Sequence, residues 1–221
     1  MSTAIVAHRG FSARYTENTL AAIEAALELG VDFVEVDVNQ TQDGQLVLFH
    51  DSTLNRLCSV RAHLQDVTLE QIKRLNPEIP SLREALMAVR GRGRLLIEMK
   101  RADPVKVGEE IVRSHMERNV VVFSFSTATM QTLAAAYPEI RRFGLVADTL
   151  PRNLPFAVDG IAANRRLVHS RKDVKRVQRR GWKLFVWTVN RLGEMQRLIE
   201  WGVDGLITDH PDRAKSCLAQ R

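Results

Sequence analysis

The sequence is poor in the features that mark membrane-spanning, secreted and disulfide-rich proteins. Its 221 residues contain only two cysteines, Cys58 and Cys217, which lie far apart and form no metal-binding motif. No apolar run approaches the roughly 18 residues that span a bilayer. Residues 1–5 also lack the basic and apolar segments of a secretory signal. We therefore expect a cytoplasmic protein without stable membrane insertion, in a compartment that keeps thiols reduced.

The chain also lacks a glycine- or serine-rich linker, a low-complexity stretch and a convincing internal repeat. We therefore expect a single domain over residues 1–221. The 32 lysines and arginines exceed the 26 acidic residues, so the formal charge is +6. This excess favours an anionic partner, but it does not distinguish a small phosphate from nucleic acid or a lipid surface.

Short apolar runs alternate with amphipathic segments along the whole chain, which is typical of parallel strands joined by helices. This many strand–helix units favour a closed α/β TIM (β/α)8 barrel over an open doubly wound sheet. We expect Asn18 to cap the first helix and Gly30 to end it. Strands are predicted at 4–8, 32–38, 46–50, 94–100, 120–125, 142–147, 158–163, 183–189 and 204–208. Helices are predicted at 18–29, 68–75, 81–90, 104–117, 127–136, 170–180 and 191–201.

Acidic residues share one face of two predicted strands. In DFVEVDV, Glu35 and Asp37 lie on one face and the valines on the other, and RLLIEMK repeats the pattern with Glu98 and Lys100. Three acids meeting at the C-terminal rim of a barrel would repel one another unless a cation joined them. Oxygen ligands select a hard ion, so the pattern predicts one divalent cation, Mg²⁺ or Ca²⁺. The alternative is a set of solvated salt bridges with Lys100 as the counter-charge.

The segment NQTQDGQLVLFHD predicts a β-hairpin extension after the second strand. Asp43 and Gly44 lie between alternating residues, which is a strong signal for a two-residue turn. With these two residues as the turn, Asp37 lies directly opposite His50 and shares a face with it. We therefore expect the hairpin to return His50 to the carboxylates, although a one-residue bulge would change this register.

His8 and Arg9 end the first predicted strand, which should lie beside the second strand in a barrel. His8 and His50 would then flank one site, one as general base and the other as general acid. Arg9 and Lys100 supply fixed positive charge, and a guanidinium suits the geometry of phosphate in particular. Together with a cation that offsets charge on phosphorus oxygens, these groups predict a site for a phosphodiester.

The stretch from AHRG to HDSTLNR resembles the glycerophosphodiester phosphodiesterase family. The similarity continues in order through IPSLREAL, LLIEMK, VVFSFS, VWTVN and GVDGLITDHPD, and so covers nearly the whole chain. HRG, ENT, E-x-D, the hairpin with its HD pair, and E-x-K form a specific signature in combination. The chain departs from the family at Thr16, where proline is usual, and at residues 57–59, where threonines are usual.

The resemblance implies a TIM barrel that hydrolyses deacylated phospholipids, such as glycerophosphocholine and glycerophosphoethanolamine, to sn-glycerol 3-phosphate and an alcohol. It also implies an acid–base pair, three metal ligands and two phosphate contacts. Carried over to this sequence, these are His8 and His50; Glu35, Asp37 and Glu98; and Arg9 and Lys100. The resemblance is compatible both with attack by water and with attack by the neighbouring glycerol hydroxyl through a cyclic phosphate.

Three further interpretations follow from less specific features. Residues 51–80 resemble a shortened form of the family's inserted segment, which leaves room for a lysophospholipase D type activity on a substrate with one acyl chain. Helix 170–180 is basic on one face, so a non-catalytic barrel that binds anions or surfaces is the alternative from another class. That helix lacks interleaved aromatic residues, and we expect no nucleic-acid partner. Trp187 either lines the substrate pocket or packs in the core, and the oligomeric state stays open.

Overall fold

The structure is a computed structural model that describes residues 3–219. Eight parallel strands form a closed barrel, and one further strand lies antiparallel at its outside. The strands are β1 (Ala4–Ala7), β2 (Phe33–Gln40), β3 (Leu46–Leu48), β4 (Leu95–Met99), β5 (Val120–Ser124), β6 (Arg141–Val146), β7 (Gly160–Asn164), β8 (Lys183–Trp187) and β9 (Gly205–Thr208). Their order is β1-β9-β8-β7-β6-β5-β4-β2-β3, and pairing of β1 with β2 closes the ring. The predicted TIM barrel is confirmed.

Helices surround the barrel and cover the outer face of its strands. They are α1 (Leu20–Glu28), α2 (Asn55–Cys58), α3 (Leu69–Leu75), α4 (Leu82–Val89), α5 (Pro104–Arg113), α6 (Thr127–Ala136), α7 (Arg171–Gln178), α8 (Leu192–Trp201) and α9 (Pro211–Ala219). The sequence did not predict α2 or α9, and α9 buries a narrow stripe of Pro211, Ala214 and Cys217. Within residues 3–219, no helix combines the length and the apolar character needed to cross a membrane.

The start of α1 differs from the prediction. Thr19, and not Asn18, caps this helix, because the Thr19 side chain accepts a hydrogen bond from the backbone N–H of Ala22. The amide of Asn18 is instead bound to Asp37: its Nδ2 donates to a carboxylate oxygen at 2.9 Å, and its Oδ1 accepts from the backbone N–H at 3.0 Å. Gly30 follows the helix with a φ of +66°, as expected for a residue that ends a helix.

Most residues of the barrel strands are apolar on both faces, because one face fills the barrel and the other packs under the helices. Inside the barrel, aromatic rings meet edge to face, with Phe185 at 4.9 Å from Phe143 and 5.8 Å from Phe33 between ring centroids. The interior side chains are Val6, Phe33, Leu96, Val121, Phe123, Phe143, Ala162, Phe185 and Ile207. The filled interior leaves the mouth at the C-terminal ends of the strands as the place where polar side chains meet.

The hairpin extension is present, but its register differs by one residue from the predicted one. Val38 pairs with Leu48, and the loop between the strands contains three residues instead of two. A two-residue type I′ turn would need a positive φ at both Asp43 and Gly44, but only Gly44 of the pair has one, at +76°. The N–H of Gly44 donates instead to the carbonyl of Thr41. A glycine in this left-handed region after a tight turn inserts one extra residue into the loop.

The prediction that Asp37 lies directly opposite His50 is therefore wrong. The residue that bonds to Asp37 across the hairpin is Phe49, whose N–H donates to the Asp37 carbonyl at 3.0 Å. β3 ends one residue earlier, and the amide of Asn39 donates to the Phe49 carbonyl at 2.7 Å. The chain leaves the ladder at this point, so His50 reaches the barrel mouth from a loop and not from a strand.

The segment after His50, residues 51–80, folds against the outside of the hairpin. It contains α2, a 3₁₀ turn (Leu64–Asp66) and α3, and it packs over its own apolar cluster. The buried members of this cluster are Val47, Phe49, Leu54, Leu64, Ile72 and Ile79. Because two of them belong to the hairpin, this cluster anchors the loop that carries His50.

The loop after β1 passes close to α1 at Gly10. This residue has a φ of +79°, and a methyl group on it would lie 2.6 Å from the backbone carbon of Ala22. We expect Gly10→Ala to lower the free energy of unfolding by about 3 kcal/mol, because steric overlap adds to the strain of a positive φ. Urea denaturation followed by circular dichroism measures this loss.

Gly91→Ala is the matched control for this substitution. Gly91 has a similar φ of +76°, but a methyl group there would meet nothing within 4 Å. We expect a loss of roughly 1 kcal/mol, from backbone strain alone. Equal losses in the two variants would show that the contact with Ala22 has no energetic weight.

Candidate active site

Three buried carboxylates lie together at the mouth of the barrel. Glu35 and Asp37 come from β2 and Glu98 from β4, where Asp37 and Glu98 are neighbours in the strand register. Their exposed fractions are 1%, 0% and 8%, and one oxygen of each lies within 4.8 Å of the others. Ligand atoms on opposite sides of one Ca²⁺ are about 4.8 Å apart, and those around Mg²⁺ are closer. This oxygen-only cluster therefore fits one hard divalent cation.

Two cationic side chains lie against the same carboxylates. Lys100 Nζ is 3.2 Å from Asp37 Oδ1 and also contacts Glu98 Oε1, while Arg9 Nε is 3.1 Å from Asp37 Oδ2. Burial alone would raise the pKa of Asp37, but the charges of Lys100 and Arg9 hold this pKa below its ordinary value. Asp37 is therefore the ionised centre of the cluster.

The other two carboxylates are less well compensated. Burial and the neighbouring charge of Asp37 raise the pKa of Glu35 to about 8, and the same two causes raise the pKa of Glu98. Three carboxylates thus face only two fixed cationic side chains. A divalent cation between them would offset the remaining charge, so the electrostatics of the site agree with its geometry.

His8 lies beside this cluster at the end of β1. Its Nδ1 is 2.6 Å from Asp209 Oδ1, and its Nε2 is 4.0 Å from Glu35 Oε2. Burial lowers the pKa of His8, but the hydrogen bond with Asp209 and the charge of Glu35 outweigh burial and raise it. The ring is thus held by one nitrogen, and the other faces the carboxylates.

Asp209 is a functional candidate that the sequence reasoning missed. It accepts hydrogen bonds from Asn190 Nδ2 at 2.6 Å and Ser12 Oγ at 3.1 Å, in addition to its contact with His8. Burial raises the pKa of Asp209, but these bonds lower it to about 2. The available signal was its position: it follows β9, which pairs with β1, so the residue after each strand falls at the same edge of the barrel.

His50 has a similar arrangement on the opposite side. Its Nδ1 is 2.8 Å from Asp51 Oδ1. A chain of ion pairs continues from Asp51 to Arg56 at 2.7 Å, from Arg56 to Glu17 at 2.7 Å, and from Glu17 to Arg9 at 2.8 Å. Through Arg9 this chain reaches Asp37, so the segment that carries His50 is joined electrostatically to the carboxylates.

These side chains surround one cavity of about 150 Å³. One side is polar and the other is apolar, and the aromatic ring of Trp187 belongs to the apolar side. The Trp187 indole donates its N–H to the Ala162 carbonyl at 3.0 Å, and its ring meets Phe125 edge to face at 6.1 Å. The lining residues are His8, Arg9, Glu35, His50, Glu98, Lys100, Phe123, Phe125, Leu145, Trp187, Thr188 and Ile207.

The structure therefore brings together the residues that the sequence singled out for one site. Seven of them line the cavity, and Asp37 joins them through its contacts with Arg9 and Lys100. His50 arrives despite the error in the predicted register, because the loop after β3 turns it toward the mouth. Trp187 lies at the wall of the cavity and not in the closed interior.

The basic helix lies apart from this cavity. α7 buries Val174 and Val177 and presents its arginines and lysines on the outer face, as the spacing predicts. Arg171 donates to the carbonyl of Glu200 at 2.7 Å, and none of the helix residues lines the cavity. A surface-binding role for this helix stays a prediction.

Comparison with known proteins identifies the family of the chain. Residues 8–213 match the model of the glycerophosphoryl diester phosphodiesterase family. The chain belongs to this family. It is 32% identical to a glycerophosphodiester phosphodiesterase of Caldanaerobacter subterraneus subsp. tengcongensis, over 96% of both chains. It is 30% identical to one of Bacillus altitudinis, again over 96% of both.

Solved structures of phosphodiesterases have the same fold. The structure from Agrobacterium tumefaciens is 27% identical and superposes with a TM-score of 0.85, over 97% of this chain and 99% of the other. An Oleispira antarctica phosphodiesterase, solved in complex with the product sn-glycerol-3-phosphate, is 24% identical with a TM-score of 0.84. The superposition covers 99% of this chain and 97% of the Oleispira antarctica chain. The family resemblance of the sequence is confirmed.

Proposed function

We propose that this protein hydrolyses glycerophosphodiesters, such as glycerophosphocholine and glycerophosphoethanolamine, to sn-glycerol 3-phosphate and an alcohol. The observation that carries the proposal is one cavity, in a chain of this family, with two histidines on a cluster of carboxylates and cations. The product bound to the Oleispira antarctica relative supports the same reaction class. We propose further that the chain acts as a single domain in the cytoplasm.

Arg9 and Lys100 are the proposed contacts for the phosphate. Both line the cavity, both are largely buried, and the neighbouring carboxylates raise the pKa of each against the effect of burial. They therefore keep their charge at neutral pH and attract an anionic phosphodiester. The apolar wall around Trp187 would receive the carbon skeleton of the glycerol part.

Glu35, Asp37 and Glu98 are the proposed ligands of one divalent cation, Mg²⁺ or Ca²⁺. Bound there, the cation would supply positive charge close to the phosphate oxygens. The side chains around it would have separate tasks. Lys100 balances Asp37 Oδ1 and Glu98, and Arg9 balances the other oxygen of Asp37, Oδ2.

His8 and His50 are the proposed acid–base pair. Each ring is hydrogen-bonded through Nδ1 to an aspartate, which leaves Nε2 as the nitrogen for proton transfer. One ring would accept the proton of the attacking hydroxyl, and the other would donate a proton to the leaving oxygen. Asp209 and Asp51 act through these rings as positioning residues.

A lysophospholipase D type activity is the second candidate. Phe125 is 54% exposed beside Trp187 at the cavity mouth, which offers an apolar surface to a substrate with one acyl chain. The same cavity and the same reacting groups would serve this reaction.

The first prediction about activity concerns substrate and metal together. Purified protein is incubated with glycerophosphocholine, glycerophosphoethanolamine, glycerophosphoglycerol or lysophosphatidylcholine. Release of glycerol 3-phosphate from the deacylated substrates is coupled to NADH formation. Turnover of lysophosphatidylcholine is measured by the release of choline, because this reaction leaves lysophosphatidic acid and not glycerol 3-phosphate. We expect turnover of the deacylated substrates, its loss after exhaustive chelation, and recovery with Mg²⁺ or Ca²⁺. Activity that survives chelation would reject the metal role, and turnover of the acylated substrate alone would favour the lysophospholipase D alternative.

The second prediction concerns the proton-transfer role of His50. We expect His50→Ala to lower kcat by roughly two to four orders of magnitude, because a general acid or base contributes about this factor. His169→Ala is the control, since His169 is exposed on the loop before α7 and should leave kcat unchanged. A loss below threefold in His50→Ala, measured in the same coupled assay, would contradict the role.

The third prediction concerns Asp209. An asparagine at this position cannot accept hydrogen bonds from both His8 and Asn190, because one of its two ends is a donor. We expect Asp209→Asn to lower kcat roughly 10- to 100-fold with little change in KM, because it disturbs the ring and not the substrate.

Asp212→Asn is the matched control for Asp209→Asn. Asp212 lies three residues after Asp209 in the sequence and pairs with the exposed Arg14 instead of a histidine. It should retain full kcat. A parallel rise in KM and fall in thermal stability for Asp209→Asn, without a selective effect on kcat, would reduce Asp209 to a structural role.

A further inference from the structure

A second cavity lies beside the first and shares part of its wall. Its volume is about 290 Å³, and it is more open to solvent than the first, which measures about 150 Å³. The shared residues are His50, Glu98, Lys100 and Phe125. A group bound at this shared wall would therefore extend into both cavities.

Apart from Met99, the lining residues that the second cavity does not share with the first are polar. We call this cavity the alcohol chamber and define it by its lining residues, which are Asn39, His50, Ser52, Glu98, Met99, Lys100, Arg101, Ser124, Phe125 and Ser126. Some of its polar side chains are already hydrogen-bonded within the protein, and others are not. Ser124 Oγ donates to the Met99 carbonyl at 2.8 Å, and Ser126 Oγ accepts from Thr129.

Arg101 and Ser52 are the lining residues whose side chains have polar groups available to a ligand. The backbone N–H of Arg101 donates to Asn39 Oδ1 at 3.1 Å, but its guanidinium has no ion-pair partner among residues 3–219. The Ser52 hydroxyl likewise has no hydrogen-bond partner within the described chain, although its carbonyl accepts from Leu64. These two side chains offer several hydrogen-bond donors and a positive charge to a ligand.

The charge of the chamber is positive. Its single lining carboxylate is Glu98, which is in contact with Lys100 and belongs to the proposed metal ligands. Arg101 therefore adds a charge that no carboxylate of the chamber balances. A ligand group rich in hydroxyl oxygens suits these donors, whereas a quaternary ammonium would meet charges of its own sign.

We propose that the alcohol chamber receives the leaving alcohol, and that it selects hydroxyl-rich alcohols, such as glycerol and inositol, over choline. The proposal rests on the proposed function, since it assigns one arm of a glycerophosphodiester to each cavity. Every such substrate has the same glycerol 3-phosphate half, and the smaller and less open first cavity fits this constant half. The larger, open chamber fits the half that varies.

The aromatic residues agree with this assignment. Recognition of a quaternary ammonium uses several aromatic faces around the cation. In the alcohol chamber, Phe125 is the one aromatic lining residue, and its ring is held edge to face against Trp187 in the first cavity. The chamber therefore lacks an aromatic cage and has a guanidinium in its place.

The test compares the specificity of the wild-type protein and Arg101→Glu. The kcat/KM values are measured for glycerophosphoglycerol, glycerophosphoinositol and glycerophosphocholine in the metal-supplemented coupled assay. We expect the wild type to prefer the two polyol substrates over the choline substrate. We expect Arg101→Glu to shift this ratio toward choline by about three- to tenfold, since the reversal removes one repulsion and adds one attraction at a partly exposed site.

Arg90→Glu is the matched control, because it makes the same charge change after α4, at the opposite end of the barrel. It should leave the specificity ratio unchanged. A wild type that prefers choline, or an unchanged ratio in Arg101→Glu, would overturn the assignment of the chamber. An unchanged ratio is also what we expect if the glycerol 3-phosphate half occupied the alcohol chamber and the leaving alcohol occupied the first cavity. Failure of the wild type to hydrolyse any of the three substrates would instead overturn the proposed function itself.

Discussion

The structure depends on one electrostatic constraint, which is the burial of three carboxylates within a few ångströms of one another. Such a cluster is unfavourable by itself, because each group loses hydration and repels the other two. Lys100 and Arg9 offset part of this energy through direct ion pairs, and the hydrogen bonds of Asn18 hold Asp37 in place. The remaining imbalance is what makes the cluster suited to a divalent cation.

The closure of the barrel explains how the other groups reach this cluster. β1 lies between β2 and β9, so the residue that follows it has a carboxylate of β2 on one side and Asp209 on the other. His8 thus has partners from opposite ends of the sequence. An open sheet would place β1 at an edge or beside different strands, and this arrangement would not form.

Much of this arrangement was predictable from local patterns. Alternation within DFVEVDV and RLLIEMK places the acids on one face, and the strand–helix repeat predicts the barrel that brings those faces together. The strand ends also predict a common location for His8 and Lys100. These conclusions need only the periodicity of a strand and the rule that parallel strands end at one edge.

The errors have an equally specific origin. The hairpin register depends on whether Asp43 adopts a left-handed conformation, because the pair Asp43-Gly44 is compatible with loops of two or three residues. Asn18 has a side chain that often caps helices, but here it is bound to Asp37, a partner 19 residues away. Thr19 therefore caps the helix instead. Asp209 needed the pairing of the last strand with the first. Each of these features is decided by tertiary contacts that a local pattern does not contain.

The ion-pair chain from Asp51 through Arg56 and Glu17 to Arg9 has a consequence for the variability of the inserted segment. The apolar cluster of this segment is separate from the cluster inside the barrel, so a change in the length or packing of the segment would leave the barrel interior in place. The position of Arg56 is more constrained. Without Arg56, Glu17 would keep Arg9 as its single cationic partner, and Asp51 would lose its arginine partner. A segment transplanted from another member of the family would have to present an arginine to both Glu17 and Asp51. Without it, Asp51 would be held less firmly, and the imidazole of His50 would lose its orientation.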